Sequence, residues 1–213
     1  MKTGSSVVTQ VETNNLFPVF LKLEELTVLL VGAGKVGLEK LSTIISNSPL
    51  TRVLVVATEI NDGIRMLASN HENIRLAQRE YSSADLEGAD LVITAIDDSQ
   101  LSGQIRKDAK ARGKLLNAAD KPELCDFYLG SIVKKGNLKI AISTNGKSPT
   151  IAKRLKEIFN DVIPGEIDGV LQNMNVIRNR LNGHFAEKVR KLNSLTKDLV
   201  LKNNAANKKA GKS

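Results

Sequence analysis

The 213 residues of this chain include 31 Lys and Arg against 23 Asp and Glu, a formal net charge of +8, and 41% of the residues are hydrophobic. This apolar content suffices for one well-buried domain and a smaller appendage, and no apolar stretch reaches the roughly 18 residues that a membrane span needs. With no Trp and 3% aromatic residues, the chain lacks the stacking platforms of single-stranded nucleic-acid binders. We therefore expect neither a membrane nor a nucleic acid as a partner.

The cellular compartment is indicated by two features. The N-terminal residues lack the apolar core of a secretory signal. The single cysteine, Cys125, cannot form an internal disulfide, which is typical of proteins in a reducing compartment. We expect a cytoplasmic protein.

Strand and helix patterns alternate through the first 120 residues. Runs of Val, Ile and Leu without alternating polar residues predict strands covered on both faces, and apolar residues at helical spacing predict the segments between them. This order predicts an α/β fold, a Rossmann-like doubly wound parallel sheet with right-handed crossovers. The predicted strands are 27–32, 52–58, 74–80, 89–96 and 114–119, and the predicted helices are 35–46, 60–70 and 99–113.

The pattern changes after Asp120. Residues 129–144 predict two strands around a Lys-Gly-Asn turn, and residues 148–163 predict a helix with Pro149 at its first position. Helical spacing then continues to about residue 200. The expected organisation is a flexible N-terminus (1–14), a dinucleotide-binding Rossmann domain (15–119), a small β region (120–148), a helical domain (149–200) and a disordered basic tail (201–213).

Three glycines lie directly between the first predicted strand and the first helix. Gly32, Gly34 and Gly37 form a complete G-x-G-x-x-G. In a dinucleotide site the first glycine allows the tight turn, the second lets a pyrophosphate approach the backbone, and the third allows close helix–strand packing. The helix N-terminus adds unpaired N–H groups and partial positive charge. We therefore favour dinucleotide binding over a purely structural glycine turn.

The choice of dinucleotide depends on the end of the second strand. There Glu59 is the acid available to bind the ribose hydroxyls. The nearest basic residue along that strand is Arg52, at its start, so we expect no arginine beside Glu59 to hold a 2′-phosphate. The pattern favours NAD over NADP as cofactor.

Acidic residues follow the fourth and fifth predicted strands, at the edge where open parallel sheets bind ligands. Asp97 is a candidate for cofactor binding, although Asp97 or Asp98 could instead cap the following helix. Asp120 follows the fifth strand, and no well-capped regular helix comes directly after it. A carboxylate there could act as a general base or bind a cation.

A second anion site is indicated by residues 142–150, "ISTNGKSPT", where hydroxyls, a glycine and a lysine precede a helix. A capped turn explains this pattern equally well. Between residues 127 and 156 there are seven Lys and Arg and no acid, which suits a polyanionic small molecule or a solvated face.

Side-chain metal ligation is not predicted. His71 and His184 are isolated, and no Cys/His cluster has zinc spacing. Cys125 has no histidine in a recognisable motif near it, so we expect a packed thiol rather than a nucleophile.

Taken in order, several segments resemble the precorrin-2 dehydrogenase family, the dehydrogenase/chelatase part of siroheme synthases. The resemblance spans about residues 15 to 165, and its most specific part is the Ser-Thr-x-Gly-Lys-Ser-Pro string before a helix. The segments are "LFPVFLKLEELTVLLVGAGKVGLEK", "ADLVITAIDD", "NAADKPELCDF" and "GSIVKKGNLKIAISTNGKSPTIAKRLK".

This resemblance implies a homodimer and the NAD-dependent dehydrogenation of precorrin-2 to sirohydrochlorin in siroheme or cobalamin biosynthesis, which in some members is followed by iron insertion. It implies that residues 120–148 are a dimerisation and substrate-loop region and that Asp120 is essential to dehydrogenation. Further residues implied are Lys35, Val36 and Thr58 at NAD, and Ser143, Thr144, Lys147 and Ser148 near the tetrapyrrole.

One alternative of another class remains. A non-enzymatic NAD-sensing Rossmann module that regulates a partner explains Glu59 and the glycine loop equally well. It does not explain why Asp120 and the Ser-Thr-Asn-Gly-Lys-Ser-Pro loop accompany them.

Overall fold

A computed structural model describes residues 13–181 and 184–197 of the chain. The predicted basic tail 201–213 and residues 1–12 of the predicted flexible N-terminus lie outside the described residues. Contacts divide the chain into two compact units, each described here by itself. The sheet unit comprises the residues up to Gly130 together with Ser143–Pro149, and the hairpin–helix unit comprises Ser131–Ile142 and the residues from Thr150 onward. The domain boundaries expected from the sequence stay a prediction.

The sheet unit is built on five parallel strands in the order β3-β2-β1-β4-β5. In the centre, Leu30 of β1 lies in register with Val55 of β2 and Ile93 of β4. All pairings are parallel, so the carboxyl ends of the strands share one edge. The predicted fold class is confirmed. The strands are β1 (Thr27–Ala33), β2 (Arg52–Ile60), β3 (Ile74–Gln78), β4 (Leu91–Thr94) and β5 (Leu115–Ala118).

Helices cover both faces of the sheet. On one face α1 (Lys35–Asn47) and α2 (Asp62–Ser69) pack Leu41 and Ile64 into one apolar cluster. On the other face α3 (Ser99–Ala111) packs Ile105 and Ala109 into a second cluster. The predicted close of α3 by a glycine is confirmed, since Gly113 has a φ of +65°.

The core of the sheet unit explains why its edge can hold a fixed site. Leu29, Leu30 and Val55 are completely buried, and each such side chain contributes about 2 kcal/mol by leaving water. Because β1 is buried on both faces, its position, and with it the start of α1, is strongly determined.

The hairpin–helix unit has a different organisation. Strands β6 (Ser131–Lys135) and β7 (Leu138–Ile142) form the predicted antiparallel hairpin, and the turn between them contains Gly136 and Asn137. Asp168, in the helix Ile167–Arg180, accepts hydrogen bonds from the backbone and side-chain nitrogens of Asn137, at 2.7 and 2.8 Å. The helices are α4 (Pro149–Val162), α5 (Ile167–Arg180) and α6 (Phe185–Leu195).

The remaining elements are short. Three-residue or four-residue 3-10 helices, which the sequence pattern did not predict, occur at Leu23–Glu25, Ser83–Leu86 and Pro122–Leu124. Among the residues described, no helix has both the length and the apolar character required to cross a membrane.

Candidate functional site: a cleft at the carboxyl edge of the sheet

The glycine loop joins β1 to α1, and two of its glycines are required by close packing. Gly32 has a φ of +100°, and a Cβ built on it would lie 2.3 Å from the carbonyl oxygen of Ala95. A Cβ on Gly37 would lie 2.3 Å from the carbonyl oxygen of Gly32. The predicted roles of the first glycine in the turn and the third in helix–strand contact therefore match the geometry.

The middle glycine is different because it faces open space. Gly34 is the N-cap of α1, makes no side-chain cap, and has no atom within 4 Å of the position where a Cβ would be. Lys35 and Val36 follow it and are exposed. Unpaired backbone N–H groups at the start of a helix attract anions, and a missing side chain lets an anion come close. The cradle therefore fits a dinucleotide pyrophosphate.

A cleft of about 500 Å³ opens beside this loop. It is lined by the glycine loop and by residues at or directly after the carboxyl ends of β1 to β4, which is where parallel sheets bind ligands. The lining residues are Val31–Gly34, Val56–Glu59, Arg79–Tyr81, Ala95–Asp98 and Leu101. The cleft thus brings together Gly32, Gly34, Thr58, Glu59 and Asp97 of the predicted cofactor site.

The end of β2 presents two of these candidates to the cleft. Thr58 and Glu59 are exposed, and the carbonyl oxygen of Thr58 accepts a hydrogen bond from Nε2 of Gln78 at 3.2 Å. The side chain of Glu59 makes no hydrogen bond or ion pair with any described residue. Its carboxylate is therefore available to the hydroxyls of a ribose.

Three cleft residues, Arg79, Glu80 and Tyr81, were not found from the sequence. Arg79 lines the same cleft as Glu59, because its backbone N–H donates to the carbonyl oxygen of Ala57 at 2.9 Å and brings the end of β3 to the end of β2. The expectation that no arginine beside Glu59 holds a 2′-phosphate stays a prediction. The signal that could have found them is their position directly after the third strand, at the ligand-binding edge. Burial chiefly raises the pKa of Tyr81, whose hydroxyl donates to Asp108 at 3.1 Å.

The paired aspartates after β4 have separate roles. Asp98 caps α3, since its Oδ1 accepts from the backbone N–H of Leu101 at 2.9 Å. Asp97 is exposed and lines the cleft. The capping alternative therefore applies to Asp98, and Asp97 remains the candidate that faces a ligand.

Asp120 lies in a turn after β5 that is attached to the neighbouring strand on both sides. It is exposed and has a φ of +58°, a left-handed conformation uncommon outside glycine. Immediately before it, the N–H of Ala119 donates to the carbonyl oxygen of Thr94 at 2.9 Å. Immediately after it, Nζ of Lys121 donates to the carbonyl oxygen of Ile96 at 2.8 Å. Asp120 does not line the cleft. The turn that carries it is nevertheless bonded to Thr94, the last residue of β4, and to Ile96, which lines the cleft.

Two residues, Cys125 and Asp126, bond to β5 and to the turn that follows it. The Cys125 thiol lies 3.2 Å from the backbone nitrogen of Ala118 and 3.4 Å from the carbonyl oxygen of Lys121. Burial raises the pKa of Cys125, so the thiol stays protonated and packs, as predicted, against the second apolar cluster. Asp126 accepts from the N–H of Leu116 at 2.9 Å and binds both terminal nitrogens of Arg106, which lowers the pKa of Asp126.

The loop of residues 143–148 folds as a tight turn. Asn145 and Gly146 have φ values of +54° and +73°. Oγ1 of Thr144 accepts from the N–H of Ser148 at 3.2 Å and donates to its carbonyl oxygen at 3.1 Å. This bonding is what the capped-turn alternative requires. Ser143, Thr144, Lys147 and Ser148 are absent from the cleft lining, so their predicted contact with substrate stays a prediction.

Within residues 13–181 and 184–197, no group of three or more His, Cys, Asp and Glu side chains could hold a metal ion.

Comparison with known proteins agrees with this geometry. Residues 19–131 match the family described as putative NAD(P)-binding, and residues 135–161 match the family described as the central part of sirohaem biosynthesis proteins. The first match covers more than half of the chain. It confirms the prediction of a nicotinamide-dinucleotide cofactor.

The similar curated proteins are siroheme synthases. That of Pseudoalteromonas atlantica is 35% identical over 186 residues, which cover 85% of this chain and 37% of the relative. That of Psychrobacter arcticus is 37% identical over 150 residues, 70% of this chain and 27% of the relative. The chain thus spans about a third of the length of the curated relatives it matches.

A solved structure described as SirC, precorrin-2 dehydrogenase, shares the fold, with a TM-score of 0.69 and 22% identity over 84% of this chain and 89% of that one. The family models, the relatives and the shared fold lead to the same group of proteins. The chain belongs to the NAD(P)-binding family that includes the corresponding part of the siroheme synthases, as its resemblance to that family predicted.

Proposed function

We propose that the protein dehydrogenates precorrin-2 to sirohydrochlorin with NAD as the oxidant. The observation that carries this proposal is the juxtaposition of two features at one sheet edge. A glycine loop with an open middle glycine, Gly34, faces the cleft, and the turn of Asp120 is bonded to the residues that follow β4. The relatives named siroheme synthase and the similar structure named precorrin-2 dehydrogenase support this substrate.

In this proposal the cofactor lies along the cleft. The N–H groups of Lys35 and Val36 at the start of α1 bind the pyrophosphate, and Thr58 and Glu59 bind the adenosine ribose. NAD is favoured over NADP because a 2′-phosphate would lie beside the Glu59 carboxylate. Asp97 borders the cleft further along and contacts the cofactor from the β4 side.

The substrate is a reduced macrocycle with carboxylate side chains. It complements the stretch between residues 127 and 156, which contains seven Lys and Arg and no acid. Hydroxyls of Ser143, Thr144 and Ser148, together with the Lys147 ammonium, are suited to bind carboxylates. We assign substrate binding to these four residues.

Asp120 is the proposed proton acceptor. The nicotinamide supplies the acceptor for a hydride from the macrocycle, and a proton must also leave as the ring system gains conjugation. Asp120 is exposed and makes no hydrogen bond or ion pair with any described residue, so its carboxylate can receive that proton. The bonds of Ala119 and Lys121 to residues at and after the end of β4 hold the turn that carries this carboxylate.

A homodimer in the cytoplasm is proposed on separate grounds. The hairpin–helix unit exposes Ile158, Val162, Phe185 and Leu195 by 53 to 75%. In the proposed homodimer these side chains would be covered by the partner. Sedimentation at twice the mass of the chain would support the dimer, and a monomer at micromolar concentration would contradict it.

The activity is tested by an anaerobic assay of the purified protein with precorrin-2. We expect sirohydrochlorin to form with NAD and not without it. Binding of NAD without turnover would instead support the sensing module. Adding ferrous ion to the product then tests iron insertion, and metal-dependent loss of sirohydrochlorin above the rate without protein would establish that second activity.

A further inference from the structure

The cleft contains an arginine, Arg79, whose side chain is already hydrogen-bonded within the protein. Among the described residues that line the cleft, Arg79 is the one with a basic side chain, whereas Glu59, Glu80, Asp97 and Asp98 are acidic. Nη1 of Arg79 donates to Oδ2 of Asp85 at 2.9 Å, and Nη2 donates to Oδ1 at 2.6 Å. Nη1 also donates to the carbonyl oxygen of Glu80 at 3.0 Å. Three of the five N–H groups of the guanidinium therefore donate within the protein, and both terminal nitrogens are directed at Asp85.

Asp85 is held firmly in the position that binds Arg79. Its side chain is 6% exposed, and Oδ2 also accepts from the N–H of Ser82 at 2.9 Å. It belongs to a reciprocal capping box at the start of the short helix Ser83–Leu86, whose Leu86 is completely buried. Hydrogen bonding to Arg79 lowers the pKa of Asp85, so the carboxylate stays charged at neutral pH.

The position of Arg79 matters because of what lies beside it. Its backbone is bonded to Ala57, the residue before Thr58 and Glu59 at the proposed ribose site. In NADP the ribose carries a 2′-phosphate in place of the hydroxyl that an acid would bind. A guanidinium is well suited to bind such a phosphate with two hydrogen bonds.

We propose that Asp85 determines cofactor specificity by withholding the guanidinium of Arg79 from the 2′-position of the dinucleotide. Discrimination against NADP then has two parts, the repulsive carboxylate of Glu59 and the ion pair in which Asp85 orients and neutralises the Arg79 guanidinium. This inference rests on the proposed function, because it requires a nicotinamide dinucleotide in the cleft. The proposal assigns a role in cofactor specificity to Asp85, which does not line the cleft.

Binding of NAD and NADP, measured separately by calorimetry without substrate, tests the proposal. We expect the wild-type protein to prefer NAD. Asp85→Asn keeps an oxygen for Ser82 and removes the charge that holds Arg79, so NADP affinity should rise about tenfold while NAD affinity changes less than about twofold. The double variant Asp85→Asn with Arg79→Gln should lose that gain.

Controls distinguish a wrong specificity proposal from a variant that does not fold and from a wrong proposed function. If Asp85→Asn is folded and its affinity ratio is unchanged, or if the double variant keeps the gain, the proposal is overturned. Arg79→Gln alone, which retains a donor for Asp85, serves if Asp85→Asn does not fold. It should leave NADP affinity nearly unchanged, and a tenfold loss would show that Arg79 already reaches the phosphate and would overturn the proposal. If the wild-type protein binds neither dinucleotide, the proposed function fails instead.

Discussion

The two units of the chain differ in how much of their own surface they bury. In the sheet unit every strand contributes buried apolar side chains, and Leu29, Val56, Val92 and Leu116 are completely buried. In the hairpin–helix unit α5 and α6 bury no residue, and Val162 is 66% exposed. The sheet unit therefore fixes its cleft through its own packing, whereas the other unit leaves large apolar side chains exposed.

This difference separates effects on folding from effects on local structure. In the sheet unit a substitution that introduces a steric clash disturbs a close-packed core and should therefore lower global stability. In the hairpin–helix unit a lost contact acts on an exposed turn and should alter only local protection. Substitutions of comparable size in the two units can test this contrast.

The largest effect on stability is expected for Gly37→Ala. The new methyl would lie 2.3 Å from the carbonyl oxygen of Gly32, so α1 or the loop must shift, at a cost of about 3 kcal/mol in unfolding free energy. Gly103→Ala is the matched control, since a Cβ there meets no atom within 4 Å and alanine favours the interior of α3. Chemical denaturation measures both, and equal stabilities for the two variants would contradict the packing role of Gly37.

Gly34→Ala separates binding from stability in the same loop. Its Cβ meets no atom within 4 Å, and its φ of −81° suits alanine. Unfolding free energy should fall by about 1 kcal/mol or less, the usual cost of alanine at an N-cap, while NAD affinity falls at least about tenfold because the methyl blocks the pyrophosphate. Unchanged NAD binding by calorimetry would argue against a pyrophosphate at this position.

A smaller and pH-dependent effect is expected for Asp126→Asn. Asp126 joins Arg106 to the backbone of buried Leu116, and losing this charged pair should cost about 2 kcal/mol at pH 7. Because binding to Arg106 lowers the pKa of Asp126 in the folded state, its contribution is present above the ordinary pKa of about 4 and lost as pH falls through the folded pKa. Denaturation at pH 7 and pH 3 should show a smaller difference between the two proteins at pH 3, and a constant difference would contradict this assignment.

The smallest effect is expected for Asp168→Ala in the hairpin–helix unit. It removes the two hydrogen bonds that Asn137 donates and the one from Gln172. Hydrogen exchange at the turn of Gly136 and Asn137 should accelerate, while the melting temperature of the sheet unit is unchanged. Asp161→Ala on exposed α4 is the control and should leave exchange at the turn unaltered. A global loss of stability in Asp168→Ala would contradict the claim that a lost contact in the hairpin–helix unit has only local effects.

Much of the sheet unit could be predicted because its signals are local. Apolar runs without alternation specify strands buried on both faces, and the glycines between Val31 and Leu38 specify the turn that follows. The hairpin was predicted by its Lys-Gly-Asn turn, whose Gly136 has a φ of +58°. These features depend on residues close together in the chain.

The rest of the site depends on which strands become neighbours. Arg79 reaches the end of β2 only because β3 pairs with it, and the sequence does not specify that order. Asp97 and Asp98 are equally suitable helix N-caps by residue type. Asp98 is the cap because α3 begins at the next residue, Ser99. The bond from Lys121 to Ile96 likewise requires β5 to lie beside β4.

The central claim is that a carboxylate at the end of β5 accepts a proton while NAD is bound in the adjacent cleft. Anaerobic turnover of precorrin-2 by Asp120→Asn at saturating NAD tests it most directly, with Glu72→Gln before β3, at the opposite edge of the sheet, as control. The account predicts that Asp120→Asn loses at least about a hundredfold in turnover with unchanged NAD affinity, while Glu72→Gln retains both. Turnover by Asp120→Asn at the wild-type rate would contradict it.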